Sequence, residues 1–173
     1  MTEEPNGAVW IDAETKVAEA PHDHRAELRL WLRLLTCTTL IETEVRRRLR
    51  EEYDFTLPRF DLLAQLDKAE GGLVLGEVSK RLMVSAGNVT ALVERLLESG
   101  HITRTPSPTA RRVQIIRMTP AGRTAFREMA EDHADWIGGL FEGIGETEIE
   151  VLMASLGRLK SSVRAGIREG AGS

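Results

Sequence analysis

The chain has 173 residues, 42% of them apolar and 29% charged, which suffices for one domain of ordinary size with its own core. No run approaches the roughly 18 uninterrupted apolar residues of a membrane span, and the single cysteine, Cys37, excludes an intrachain disulfide framework. The net charge of −4 looks unsuited to nucleic acid, but it is an average over an asymmetric chain.

Residues 1–23 read as an N-terminal arm, in which Val9 to Ala20 can form a short helix carrying Trp10, closed by Pro21. The acidic start, Met1-Thr2-Glu3-Glu4-Pro5, lacks a basic segment followed by an apolar one, so no secretory signal and a cytoplasmic location are expected. A long helix is predicted from about His24 to Tyr53, because Leu28, Trp31, Leu32, Leu35, Leu40, Val45 and Leu49 recur at helical spacing. Its basic end, Arg46-Arg47-Arg48-Leu49-Arg50, suits the negative pole of the macrodipole.

Thr56 reads as an N-cap with Pro58 in the first turn. Phe60, Leu62, Leu63 and Leu66 then form the apolar side of a helix that stops near Gly71-Gly72. Leu73 to Arg81 reads as a short amphipathic helix, Met83-Val84-Ser85 as a tight turn, and Ser85 to Leu97 as a second helix ending at Gly100. Two strand-like runs follow, His101 to Thr105 and Val113 to Met118, around a polar tip from Pro106 to Arg112. Thr119-Pro120 repeats the cap-then-proline start, opening a helix that runs through Trp136 towards Gly143. Glu146 to about Ile167 forms a last helix with Ile149, Leu152, Met153, Leu156 and Leu159 on one side, before a small-residue tail.

Helix, turn, helix and a hairpin with an arginine tip is the pattern of a winged helix-turn-helix, which sets one helix in the major groove of double-stranded DNA. From Gly76 to Arg123 there are eight basic residues and three acidic ones, so the positive charge gathers on this module. Phosphate attraction is local, acting within about 8–10 Å, so a basic module on an acidic body can bind DNA by one face. The expected fold is therefore mainly α with a small β-hairpin wing. The winged helix-turn-helix would span residues 56–123, and residues 24–55 and 124–168 would form a helical dimerisation region, with 169–173 as tail. Helices this apolar at both ends need covering, and a second copy would supply the cover.

In the second helix of the motif, Val89, Leu92, Val93 and Leu96 fall at i, i+3, i+4 and i+7 and should face the core. That leaves Ser85, Ala86, Gly87, Asn88 and Thr90 for DNA. Ser85 caps the helix, where amides can also meet a phosphate. Gly87 and Ala86 allow close approach, and Asn88 and Thr90 can exchange hydrogen bonds with base edges. On the wing, Arg111 and Arg112 suit a narrow, electronegative minor groove, with Arg111 favoured as the outward one. Lys80, Arg81 and Arg104 are candidate phosphate contacts.

No catalytic constellation is visible, and neither an enzyme nor a cofactor is expected. The histidines are His22, His24, His101 and His133, without a His-Glu-x-x-His motif, and His22-x-His24 beside Asp23 reads as a solvated helix start. Cys37, set among leucines and threonines, reads as inert packing.

Three segments together resemble the MarR family of transcription regulators: Thr56-Leu57-Pro58-Arg59-Phe60-Asp61-Leu62-Leu63, Leu82 to Thr90, and Arg111-Arg112 through Arg117-Met118-Thr119-Pro120-Ala121-Gly122. The resemblance covers about Leu28 to Lys160. It implies a triangular homodimer with one winged helix per subunit, binding to short palindromes, and repression relieved by a small, often aromatic, anionic ligand. One departure stands out. The family's wing normally reads Asp-x-x-Asp-Arg-Arg, and here Ser107 and Ala110 replace both carboxylates that brace the wing arginine. This makes a second function thinkable: a ligand- or protein-binding dimer of the same fold with weak DNA affinity.

A narrower resemblance, carried by Leu30 to Glu42 and Leu57-Pro58-Arg59-Phe60-Asp61, is to members that respond to hydroxycinnamoyl-coenzyme A thioesters. It implies an effector that is an aromatic acid or an aryl-CoA thioester. Trp31 and Phe60 would stack the aromatic group, and Arg29, Arg33 and Arg59 would meet phosphates or a carboxylate.

Overall fold

The computed structural model describes residues 25–82, 85–108, 110 and 113–170. The expected helix at Val9 to Ala20, the His22/His24 pair, Met83-Val84, and the wing arginines Arg111 and Arg112 lie outside them. The chain divides into two compact units, parted between His133 and Ala134.

In the first unit, helix α1 (Ala26–Tyr53) is close to the predicted span. It stops because Asp54 takes the left-handed conformation (φ 48°), which sends its N–H back to Arg50 O and the Phe55 N–H to Leu49 O. Ion pairs one turn apart lace its exposed face, Arg46–Glu42 at 2.9 Å and Arg48–Glu44 at 2.6 Å. Hydrogen bonds from Arg47 and Arg48 hold the Glu44 carboxyl down to about 2. The C-terminal half buries Val45 and Leu49, while Leu28, Leu30, Trp31, Leu35 and Leu40 further up stay exposed.

Helix α2 (Leu57–Asp67) starts at Thr56, as expected, with Pro58 in its first turn. Thr56 serves through its extended backbone, and its side chain makes no cap hydrogen bond. Phe60, Leu62, Leu63 and Leu66 are all buried. The helix ends at Asp67, short of the glycines.

The predicted helix from Leu73 divides in two. Leu73–Val74 form a strand, β1, and helix α3 spans Leu75–Leu82. Gly72 makes this possible. Its φ is +79°, and an added Cβ would overlap the Ile116 carbonyl oxygen. The chain thus enters β1 flush against β3 (Gln114–Met118), pairing Leu73 with Ile116 and Val74 with Ile115. Tertiary pairing overrides the helical pattern of the local sequence. Strand β2 (Ile102–Pro106) pairs on the other side of β3, so the predicted hairpin is part of a three-stranded antiparallel sheet in the order β1-β3-β2.

Helix α4 (Ala86–Glu98) buries Val89, Val93 and Leu96, with Leu92 half-buried. Together with Leu62, Leu63, Val78, Ile102 and Ile116 these side chains make the core of the unit. Helix α5 (Pro120–Leu140) begins with a tight junction. The Thr119 hydroxyl accepts from Gly122 N–H (2.9 Å) and donates to Gly100 O (2.8 Å), and Thr119 N–H donates to His101 O (3.0 Å). Gly122 faces the His101 carbonyl so closely that an added Cβ would overlap it. The end of α4 is thereby tied to the start of α5.

The second unit holds the last turns of α5 and helix α6 (Glu146–Gly170). Helix α6 exposes Ile149, Val151, Leu152, Met153, Leu156, Val163 and Ile167. Among the described residues, no helix is long and apolar enough to cross a membrane.

Candidate nucleic-acid interface and effector pocket

Two features of this architecture could carry function: the outer face of α4 and a pocket at the corner between α1 and α2. Ser85 sits just before α4 in an extended conformation, and its hydroxyl accepts from Asn88 N–H at 3.4 Å. Ala86 opens the helix. Gly87, Asn88, Thr90 and Ala91 are exposed, opposite buried Val89 and Val93. The small and polar residues singled out from sequence thus share one outward face at the helix N-terminus, where amide groups and the macrodipole favour an anion.

Lys80 and Arg81 are exposed at the C-terminal end of α3. Arg104 lies on β2, where its guanidinium meets Glu94 of α4 at 2.6 Å. Part of its charge is thereby committed within the protein. Arg117 of β3 reaches across to Thr105 Oγ1 at 2.9 Å. At the wing, Ser107 N–H bonds Val113 O at 2.7 Å, closing the loop that carries Arg111 and Arg112.

The pocket has a volume of about 200 Å³ and is lined by Tyr53, Asp54, Phe55, Arg59, His101, Glu128 and Met129, with Ala125. The Arg59 guanidinium carbon sits 4.0 Å from the centre of the Phe55 ring, and His101 meets the same ring edge-on at 5.6 Å between centroids. Arg59 Nε is the one buried side-chain nitrogen or oxygen among the described residues without a hydrogen-bond partner. Burial works against the Arg59 charge, with nearby Asp54 opposing that effect. Tyr53 donates its hydroxyl proton to Asp132, and this bond, with burial, pushes the phenol up to about 12.

The proposed effector residues do not assemble around one cavity. Arg59 lines this pocket. Phe60, the next residue, is only 6% exposed and packs at a tilt against Phe126 (5.4 Å between ring centroids) and His133 (5.1 Å). Arg29, Trp31 and Arg33 lie along the exposed N-terminal half of α1. Tyr53, Phe55 and His101 were missed as pocket residues. Among the described residues there is no cluster of His, Cys, Asp or Glu that could hold a metal. Cys37 is exposed, where inert packing was expected.

A three-stranded sheet, a helix-turn-helix and a wing in this order define a winged-helix DNA-binding fold. Residues 53–113 match the family model described as "MarR family". A relative, the transcriptional activatory protein BadR of Rhodopseudomonas palustris, is 29% identical over 63% of this chain and 64% of its own length. The MarR-family regulator structure from Silicibacter pomeroyi is 29% identical with a TM-score of 0.69, over 79% of this chain and 94% of that one. FabT of Streptococcus pneumoniae, solved in complex with DNA, is 26% identical with a TM-score of 0.68, over 80% and 98%. The chain is thus similar to MarR-family transcription regulators, in the family model over residues 53–113 and in the winged-helix fold beyond it.

Proposed function

We propose that the protein works as a homodimer that represses transcription from a palindromic operator and is released by a small aromatic acid or the acyl end of an aryl-CoA thioester. The observation that carries the DNA half of this reading is the outward face of α4. Its exposed residues at the N-terminal end are small or hydrogen-bonding, and its apolar residues point inward. Ser85, Ala86, Gly87, Asn88 and Thr90 would enter the major groove. Arg111 and Arg112 would reach the minor groove, with Lys80, Arg81 and Arg104 on phosphates.

Two partners are implied. A lone chain leaves Leu28, Trp31, Leu35 and Leu40 of α1, and Leu152, Met153, Leu156 and Val163 of α6, in water. A second copy would cover them and present two recognition helices about one DNA turn apart. The pocket at Arg59 is the better candidate for the effector than the exposed Trp31 region. A cavity of about 150 Å³ holds a benzene ring, so about 200 Å³ admits one aromatic acid, with its carboxylate on Arg59. A thioester would place only its acyl end here.

A band-shift assay with the DNA upstream of its own gene tests the first half. A discrete complex that disappears on adding benzoate or a hydroxycinnamoyl thioester is the expected result. No retained DNA at low salt contradicts the regulator reading. Retention unaffected by either class removes the ligand assignment.

A further inference from the structure

We propose that the ring of His101 and the hydroxyl of Ser99 form a relay that carries occupancy of the Arg59 pocket to the C-terminal end of the recognition helix. The inference rests on the reading of that pocket as the effector site. The relay has three consecutive links. The Arg59 guanidinium carbon lies 4.0 Å from the centre of the Phe55 ring, and its Nη2 points at Ser99 Oγ from 3.5 Å, the outer limit of a hydrogen bond. Ser99 Oγ stands 2.6 Å from His101 Nδ1 and 3.3 Å from Leu96 O, the carbonyl it can donate to in the last turn of α4. His101 presents its ring to the pocket wall, while its carbonyl oxygen accepts the N–H of Thr119 (3.0 Å) at the head of α5.

One residue thus has its side chain in the pocket and its backbone at the seam between α4 and α5. Its surroundings favour a two-state response. Ser99 has a single hydroxyl proton, which goes to Leu96 O or to the imidazole nitrogen according to the His101 tautomer. Arg59 Nη2 faces the oxygen of the same hydroxyl, while Arg59 Nε has no partner. A carboxylate entering the pocket gives Arg59 a stronger, charge-assisted partner than a hydroxyl at 3.5 Å. Arg59 then turns from Ser99 towards the ligand, and the Ser99 proton and the His101 ring rearrange. The pocket that His101 lines is also walled by Arg59 of α2, Phe55, Tyr53 and Asp54 at the corner, and Glu128 of α5, so a ligand anion also alters the field that His101 senses. The last turn of α4 loosens with Gly100 (φ +72°) as its pivot, and the helix changes its seat in the groove.

The test is a double-mutant cycle of Arg59→Met and Ser99→Ala. It is read by amide hydrogen exchange over residues 96–102 and by anisotropy titration of the upstream DNA. Each single variant is expected to speed exchange in that segment about three- to tenfold and to weaken the DNA complex by a similar factor. The double variant should do no more than either single, because both cut one chain of contacts. Ser99→Thr, which keeps the hydroxyl, should restore the wild-type values. Additive effects, unchanged exchange in either single variant, or exchange accelerated equally in α6 overturn the relay. A non-additive exchange cycle in a wild-type protein that fails to retain the DNA supports the relay and contradicts the regulator reading alone.

Discussion

Glu94 of α4 and Arg104 of β2 form an ion pair, with Oε1 2.6 Å from Nη1. The pair links α4 to β2 beside the face proposed to meet DNA. It also masks one of the cations counted towards phosphate binding. Both side chains remain partly accessible, so its contribution to stability is small, at most about 1 kcal/mol.

Replacing Glu94 by Gln should therefore leave the fold intact and free Arg104 for phosphate. Non-specific DNA affinity should rise, and the slope of log K against log salt should steepen by about 0.9 for one additional phosphate contact. Salt titrations of the two proteins on random-sequence DNA check this. An unchanged slope would mean that Arg104 does not reach the backbone.

Asn88→Ala should damage discrimination more than stability. The side chain is exposed, and the cap hydrogen bond uses the backbone N–H of Asn88 rather than its amide. Loss of a bidentate base contact costs about 1–3 kcal/mol of preference for the operator. The melting temperature should stay nearly unchanged. Binding to operator and random DNA, measured side by side, distinguishes a base contact from a purely helical role.

Gly122→Ala should destabilise the first unit strongly. The added methyl would overlap the His101 carbonyl oxygen, which already holds Thr119. A clash with backbone cannot be relieved by turning a side chain, so the cost should be about 1–3 kcal/mol or more. Chemical denaturation checks it. A variant as stable as the parent would show that α4 and α5 are not so tightly joined.

Stability should also depend on pH near neutrality. Burial holds the imidazoles of His101 and His133 below their ordinary value of 6.5, and Arg59 adds to this for His101. The unfolded chain therefore takes up protons first as pH falls. The contribution is complete above about 6.5 and is lost progressively below it. Urea midpoints between pH 7.5 and 5.5 should decline, and less so in His101→Gln. Asp61, whose carboxyl is raised by burial, acts in the opposite sense at lower pH. A midpoint that climbs from pH 7.5 to 5.5 would contradict the assignment.

The helices were legible in the sequence because their signals are local. Ser85, Thr56 and Thr119-Pro120 mark the starts, and Gly100 marks an end, where the structure has them. The strand at Leu73-Val74 was not legible, because its only partner is β3, some 40 residues later. The pocket was legible only through Arg59. His101 comes to Phe55, and Asp132 to Tyr53, by folding across long stretches of chain. Phe60 lies away from this pocket for a related reason. An aromatic beside an arginine resembles a stacking site, but successive residues on a helix face different directions, and Phe60 turns to Phe126 and His133. The run Tyr53-Asp54-Phe55 before a helix start was the one available hint of the corner.

The central claim, that paired α4 helices grip one duplex, is tested most directly by hydroxyl-radical footprinting on the DNA upstream of the gene. The account predicts two protected patches related by a dyad and centred about 10 base pairs apart, both lost in a variant with Asn88 and Thr90 changed to alanine. A single asymmetric patch, or protection that survives those substitutions, would contradict it.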